Sequence, residues 1–283
     1  MMMRMQKSFL RELAGVLMRA SVVVLTIIVV IVSISALYQV ESSISDGSCN
    51  IAVLPVEGVI LPYYGLGNYE LVVTPEMIDD FMTAAEEEAA IEAVLIEVNS
   101  PGGTPVASQR IAERLKDSPL PVVGMIGDIG ASGGYMVAAA TDALIASPMS
   151  NVGSIGVNMS YTEESEKNEE EGITYVQLTA GEFKDAGTPN RPITEEERER
   201  FQADLDLVHE EFIKIVSEYR NMSVAAVEAV ADGATMPGAR ALEVGLVDYT
   251  GGRAEAREVL ASIMGTDRDG VVFCEYDSGF LPF

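Results

Sequence analysis

The sequence is poor in the groups that many hydrolases and nucleic-acid binders rely on. Only one histidine, His209, occurs in 283 residues, and only two cysteines, Cys49 and Cys274. A Ser-His-Asp or Cys-His hydrolase would have to recruit that one imidazole, and a histidine-based metal site has no second ligand. His209 lies between Val208 and Glu210 in a helical pattern, where a structural or solvated role is the simpler reading. Two thiols build neither a disulfide framework nor a four-thiolate zinc site, while one bridge between the chain ends and two unpaired thiols both stay open. Positive charge is scarce too: 18 Lys plus Arg stand against 44 Asp plus Glu, a formal net charge of −26. Such a surface repels phosphates, so no nucleic-acid partner is expected. Only 12 residues are proline, and 48% apolar with 22% charged residues exclude a disordered or collagen-like chain.

The charges that are present are unevenly placed. Arg4, Lys7, Arg11 and Arg19 face a single acid, Glu12, in residues 1–19, and every other acidic residue lies beyond residue 40. With 13 Arg against 5 Lys, this acidic surface suits a salty milieu. Between the two regions, Ala20 to Leu37 is an uncharged run of 18 residues, about 27 Å long as a helix at ~1.5 Å per residue and so able to span a bilayer. Basic residues precede it, and no Lys or Arg recurs before Arg110. The positive-inside rule then puts the N-terminus in the cytoplasm and the following domain outside. A cleaved signal peptide ending near Ser33 and Ser35 is the competing reading; the length of the run favours a retained anchor.

The expected organisation is a short cytoplasmic basic segment (1–19), a transmembrane signal-anchor helix (20–38), a Ser-rich linker (39–50), a domain over 51–265 and a C-terminal tail (266–283). Within the domain, IAVLPVEGVI from Ile51, AVLIEVN (93–99), PVVGMIG (121–127) and DALIAS read as strands, largely as the near-continuous apolar runs of a buried parallel sheet. Helical patterns fall at Pro75 to Glu88, Val106 to Lys116, Ser132 to Ala140 and Thr194 to Arg220. The last carries a capping box, Thr194 with Glu197, and an apolar stripe of Phe201, Leu205, Val208, Phe212, Ile215 and Val216. MSVAAVEAVADG and GARALEVGLVD read as two shorter helices. The acidic run 162–172 reads as a solvated loop or helix end. Strand-helix alternation implies an α/β domain with parallel pairing.

Chemistry concentrates at two Gly-rich strand ends, Asn99-Ser100-Pro101-Gly102-Gly103 and Asp128-Ile129-Gly130-Ala131-Ser132-Gly133-Gly134-Tyr135. Glycines there let main-chain N–H groups approach a ligand, and a helix N-terminus adds unsatisfied donors, the ingredients of an oxyanion hole. Ser132 falls at a strand-to-helix turn, as a serine nucleophile would. Each loop taken alone reads equally well as a tight βα connection. Of the five lysines, Lys184 alone sits in a Gly-flanked segment, though by itself it also reads as a surface lysine beside Asp185.

The order NSPGG, GASGGYMVA, NVGSIGV (151–157) and GEFKDAG (181–187) resembles the signal peptide peptidase A family of membrane-bound serine proteases, over roughly residues 51–250. The resemblance implies an α/β fold of the Clp protease/crotonase-like kind, a repeated ββα superhelix, here preceded by one transmembrane helix. It also implies a Ser-Lys dyad with Ser132 as nucleophile and Lys184 as general base, and no metal or cofactor. By the same matching the N–H groups of Gly103 and Gly133 form the oxyanion hole and the Ser154 hydroxyl orients the lysine. A lysine base must lose its proton near neutral pH, which burial in an apolar site favours. Phe183 and aliphatic walls are the expected environment. The expected partners are peptide substrates such as signal peptides, the membrane, and further copies in a homo-oligomeric ring whose active site is shared between protomers. Rival readings are a sister Clp-like membrane protease cutting stomatin-like partners, a crotonase-like acyl-CoA enzyme, and a non-catalytic scaffold of the same fold.

Overall fold

The computed structural model describes residues 15, 17–30, 44, 45, 47–66 and 71–274. The chain divides into two compact units, Met1–Ser43 and Ile44–Phe283. In the first, residues 17–30 are helical (α1), and their apolar side chains are outward-facing, Leu25 being 65% exposed. Its hydroxyls are satisfied within the helix: Ser21 Oγ donates to the Leu17 carbonyl at 2.6 Å and Thr26 Oγ1 to that of Val22 at 2.7 Å. The rest of segment 20–38, most of the basic segment and residues 275–283 lie outside the described residues. Among the described residues no helix is long and apolar enough to cross a membrane.

The second unit is an α/β domain. Its strands are β1 (Ile51–Ile60), β2 (Val72–Val73), β3 (Ala93–Gly103), β4 (Val122–Ala131), β5 (Ala143–Ala146), β6 (Asn151–Gly153), β7 (Thr235–Pro237) and β8 (Tyr249–Thr250). They form one sheet in the order β2-β1-β3-β4-β5-β8, with β6 joined to β4 and β7 to β6. Every pairing is parallel except β6 with β7. Parallel neighbours need crossovers, supplied by α2 (Pro75–Glu87), α3 (Pro105–Lys116) and α4 (Gly133–Ala139). The apolar runs are continuous because both sheet faces are covered. Ala52, Leu54, Val56, Val94, Ile96 and Val98 pack under α2, α3 and α4, while the alternate residues Ile51, Val53, Ala93 and Leu95 pack under α9 (Arg253–Met264).

Two strands run further than their hydrophobic patterns indicate. The SPGG stretch, beyond the strand expected over 93–99, continues β3, because Gly102 and Gly103 stay in register with Val59 and Ile60 past a bulge at Glu57/Val59. Likewise β4 runs on to Ala131. Val123 to Ile126 pair with β5, whereas Ile129 to Ala131 pair with β6. Backbone pairing, which glycine permits as well as valine, extends both strands where side chains give no signal. The acidic run contains a short helix, α5 (Ser165–Glu170), with no buried residue. The long helix α6 (Glu195–Tyr219) has the expected capping box. Two short helices follow, α7 (Val224–Glu228) and α8 (Gly238–Glu243).

The chain ends of the domain are tied together. Cys49 and Cys274 form a disulfide with Cα atoms 5.1 Å apart, the Ile51 and Asn50 amides both donate to the Val272 carbonyl at 3.0 Å, and Cys274 N donates to Ile51 O at 2.8 Å. The start of the sequence-defined tail is therefore part of the domain.

Candidate active site

The turn between β4 and α4 carries Ser132 at φ 53° and ψ −125°, a conformation that costs a non-glycine residue about 1–3 kcal/mol. The surroundings hold it there. Ser132 N donates to Gly153 O at 2.7 Å, and Met136 N closes the first turn of α4 on Ser132 O at 3.0 Å. The helix is anchored one turn on by Tyr135, fully buried, whose hydroxyl donates to Leu246 O at 2.8 Å. Burial pushes that phenol well above its ordinary titration range.

The end of β3 is pressed against this turn. Gly102, at φ 98°, leaves no room for a side chain: a Cβ there would lie 2.6 Å from Gly133 N and 2.9 Å from both Ala131 O and Ser132 Cβ. A Cβ on Gly133 would lie 2.1 Å from Ser108 Oγ and 3.3 Å from Gly103 N. The structure thus brings Ser132, Gly103 and Gly133 together, with the Gly133 N–H at the open first turn of a helix.

Two cavities meet at Ser132. One, of about 160 Å³, is lined by Met136, Val208, Phe212 and Ile215, by the polar Gln109 and Glu211, and by Gly103 and Gly133. The other is an open cleft of about 730 Å³ bordered by Pro101, Gly102, Ser154, His209, Asp232 and Gly233. Gly156, Val157 and Asn158 border both. Ser154, at φ 52°, donates its hydroxyl to Gly233 O at 2.8 Å, which leaves the Oγ lone pairs as acceptors. His209 Nε2 lies 3.3 Å from Ile155 O, so the histidine set aside from the sequence borders the cleft through a main-chain contact.

Lys184 is elsewhere. It is exposed, its N donates to Gly181 O at 3.2 Å in a series of turns, and it lines neither cavity of its own chain. Phe183, expected to shelter it, is 44% exposed. Lys184 belongs to the stretch 158–190, whose only regular element is α5 and whose apolar side chains are outward, Val176 at 74% and Leu178 at 93%. Among the described residues no cluster of His, Cys, Asp and Glu is arranged to hold a metal ion. The walls of the smaller cavity escaped the sequence reading because Val208, Phe212 and Ile215 belong to an apolar stripe that reads as core.

A strained serine at a helix start, glycine amides beside it and an adjoining cavity are the arrangement that hydrolases of the serine-nucleophile class use. Residues 114–266 match the family model for peptidase family S49, and the chain belongs to that family of serine peptidases. It is 35% identical over 198 residues to "Putative protease MJ0651" of Methanocaldococcus jannaschii, covering 69% of this chain and 62% of that relative. It is 33% identical over 229 residues to "Putative signal peptide peptidase SppA" of Enterococcus faecium, covering 78% of this chain and 66% of the relative. The chain thus spans somewhat under two thirds of each relative's length.

Proposed function

We propose that this protein is a membrane-anchored serine endopeptidase that hydrolyses apolar, membrane-associated peptides, signal peptides among them, with Ser132 as nucleophile and Lys184 as general base. The observation that carries this reading is Ser132 itself, held at positive φ at the head of α4 with Gly103 and Gly133 packed beside it.

In the proposed reaction the neutral Lys184 amine takes the Ser132 hydroxyl proton as Oγ attacks the peptide carbonyl. The negative oxygen is held by the Gly103 and Gly133 N–H groups, an arrangement whose loss typically costs on the order of 10²–10³ in rate. As the C–N bond breaks, the lysine returns the proton to the leaving amine, and water then hydrolyses the acyl-serine by the reverse relay. The Ser154 oxygen, its own proton given to Gly233, accepts from the lysine and orients it. Since Lys184 lines neither of the two cavities that meet at Ser132, we assign it to the serine of a neighbouring copy in a ring. The outward apolar side chains of 158–190 suit contact with that copy. The smaller cavity takes the side chain next to the scissile bond, its Val208, Phe212 and Ile215 wall favouring small and aliphatic residues. The uncharged run through Ala20–Leu37, with α1 hydroxyls bonded inside the helix, supports an anchor that leaves the domain outside the cytoplasm. The Clp-like superhelical class fits the same reading.

Full-length chain in detergent, assayed on a fluorogenic peptide with leucine before the cleaved bond, tests this. Ser132→Ala and Lys184→Ala each abolish hydrolysis, and mixing the two inactive variants restores part of it, because each supplies what the other lacks. Full activity of either variant alone sinks the dyad. Inactivity of the mixture sinks the shared site.

A further inference from the structure

Lys184 lies in consecutive turns, with Lys184 N on Gly181 O at 3.2 Å, Ala186 N on Phe183 O at 3.2 Å and Thr188 N on Asp185 O at 3.3 Å. No helix or strand holds this segment, yet a general base works only if its geometry is fixed beforehand. The fixing point is the next residue. Asp185 Oδ1 accepts the Tyr175 hydroxyl at 2.7 Å, and the Asp185 carbonyl accepts Arg191 Nη2 at 3.4 Å. Arg191 grips Glu197 with both arms, at 2.9 and 2.6 Å. Glu197, only 4% exposed, is itself locked to the start of α6, accepting the Thr194 amide at 3.0 Å while its own amide donates to Thr194 Oγ1 at 3.2 Å. A 25-residue helix is thereby linked, through one forked ion pair to Arg191 and one hydrogen bond from Arg191, to the residue beside the lysine.

The arrangement exceeds what anchoring a surface loop needs. Asp185 Oδ2 is buried with no hydrogen-bond partner among the described residues, Arg191 Nε standing 3.7 Å away. An unsaturated buried carboxylate oxygen is a cost that folds tolerate mainly near functional groups. The Arg191 guanidinium and the Thr194 amide hold the Glu197 carboxyl down to about 2, so the clasp is charged throughout the neutral range.

We propose that Arg191, clasped by Glu197 and acting through Asp185 and Tyr175, is the positioning residue for the Lys184 amine. This rests on the reading of Lys184 as the base, and the test separates the two. In the full-length chain, with the leucine peptide as substrate, Arg191→Gln lowers kcat at least about ten-fold while KM stays within about two-fold, the signature of lost transition-state geometry rather than lost binding. Arg191→Lys, which keeps the charge and one contact, recovers part of that loss. Tyr175→Phe, which removes a single hydrogen bond and leaves thermal unfolding unchanged, lowers kcat about three-fold in the same manner, and it decides the matter should the Arg191 variants fail to fold. Wild-type kcat in Tyr175→Phe and in any folded Arg191 variant, beside an inactive Lys184→Ala, overturns the positioning role and spares the dyad. A fully active Lys184→Ala overturns both.

Discussion

The amide of Ser132 donates to the carbonyl of Gly153 at 2.7 Å, joining the proposed nucleophile to the strand that precedes Ser154. This bond continues the pairing of Ile129 to Ala131 with β6, by which the upper part of β4 leaves its neighbour β5. The same small tier holds both positive-φ serines, Ser132 and Ser154, so the site is built from backbone held where sheet pairing changes partners.

Gly102→Ala is the sharpest test of that construction. A methyl group at φ 98° would collide with Gly133 N, Ala131 O and Ser132 Cβ. Overpacking and strain together cost about 2–4 kcal/mol. The expected outcome is a lower unfolding midpoint and a drop of at least about 100-fold in kcat/KM from the displaced amide. Unchanged kinetics would mean that the β3 end has no part in catalysis.

Val208→Phe fills the 160 Å³ cavity from its α6 wall. Peptides with leucine before the cleaved bond should lose about ten-fold or more in kcat/KM, whereas alanine peptides are cut as before, since one or two methylenes are worth about 1–3 kcal/mol in such a pocket. Equal losses on both peptides would remove the cavity from substrate selection.

The Cys49–Cys274 bridge closes a loop of 225 residues, which in the chain-entropy model contributes at most about 5 kcal/mol. The double variant Cys49→Ser/Cys274→Ser should unfold about 5–15 °C lower. The wild type in reductant should follow it. Calorimetry with and without reductant gives the answer, and coincident melting of all samples would show the bridge to be energetically silent.

Glu197 makes the fold sensitive to acid in a defined window. Its carboxyl falls from an ordinary 4.5 to about 2 in the folded chain, through Arg191 first and the Thr194 amide second. A depressed carboxylate contributes stability that is complete above its unfolded value and is lost as pH falls through the folded one. Denaturant midpoints should therefore decline between about pH 4.5 and 2 more steeply in the wild type than in Glu197→Gln. Parallel declines would show that the ion pair is not what the acid breaks.

Much of this was legible in the residues because it depends on short-range regularities. Burial on both faces wrote β1 and the first part of β3 as apolar runs, a 3.6-residue period and Thr194 with Glu197 wrote α6, and serine between small residues at a strand end wrote the candidate nucleophile turn. Less legible was α9, whose few apolar residues, Ala256, Val259 and Leu260, cover the second sheet face without any long stripe to announce them. The extensions of β3 and β4 through glycine gave no pattern, because the partners of a backbone N–H are named by geometry alone.

By itself the sequence determined the α/β class and the candidate serine, since periodicity and local turn chemistry are properties of neighbours along the chain, and the order of its four motifs carried the family resemblance. Only the tertiary structure decided that Cys49 meets Cys274, that Val208, Phe212 and Ile215 wall a cavity beside Ser132, and that Lys184 lines neither cavity at Ser132 while its neighbour Asp185 is bonded by Arg191. Those facts join residues tens to hundreds of positions apart, and such meetings are set by how the sheet and helices pack, which no local pattern encodes.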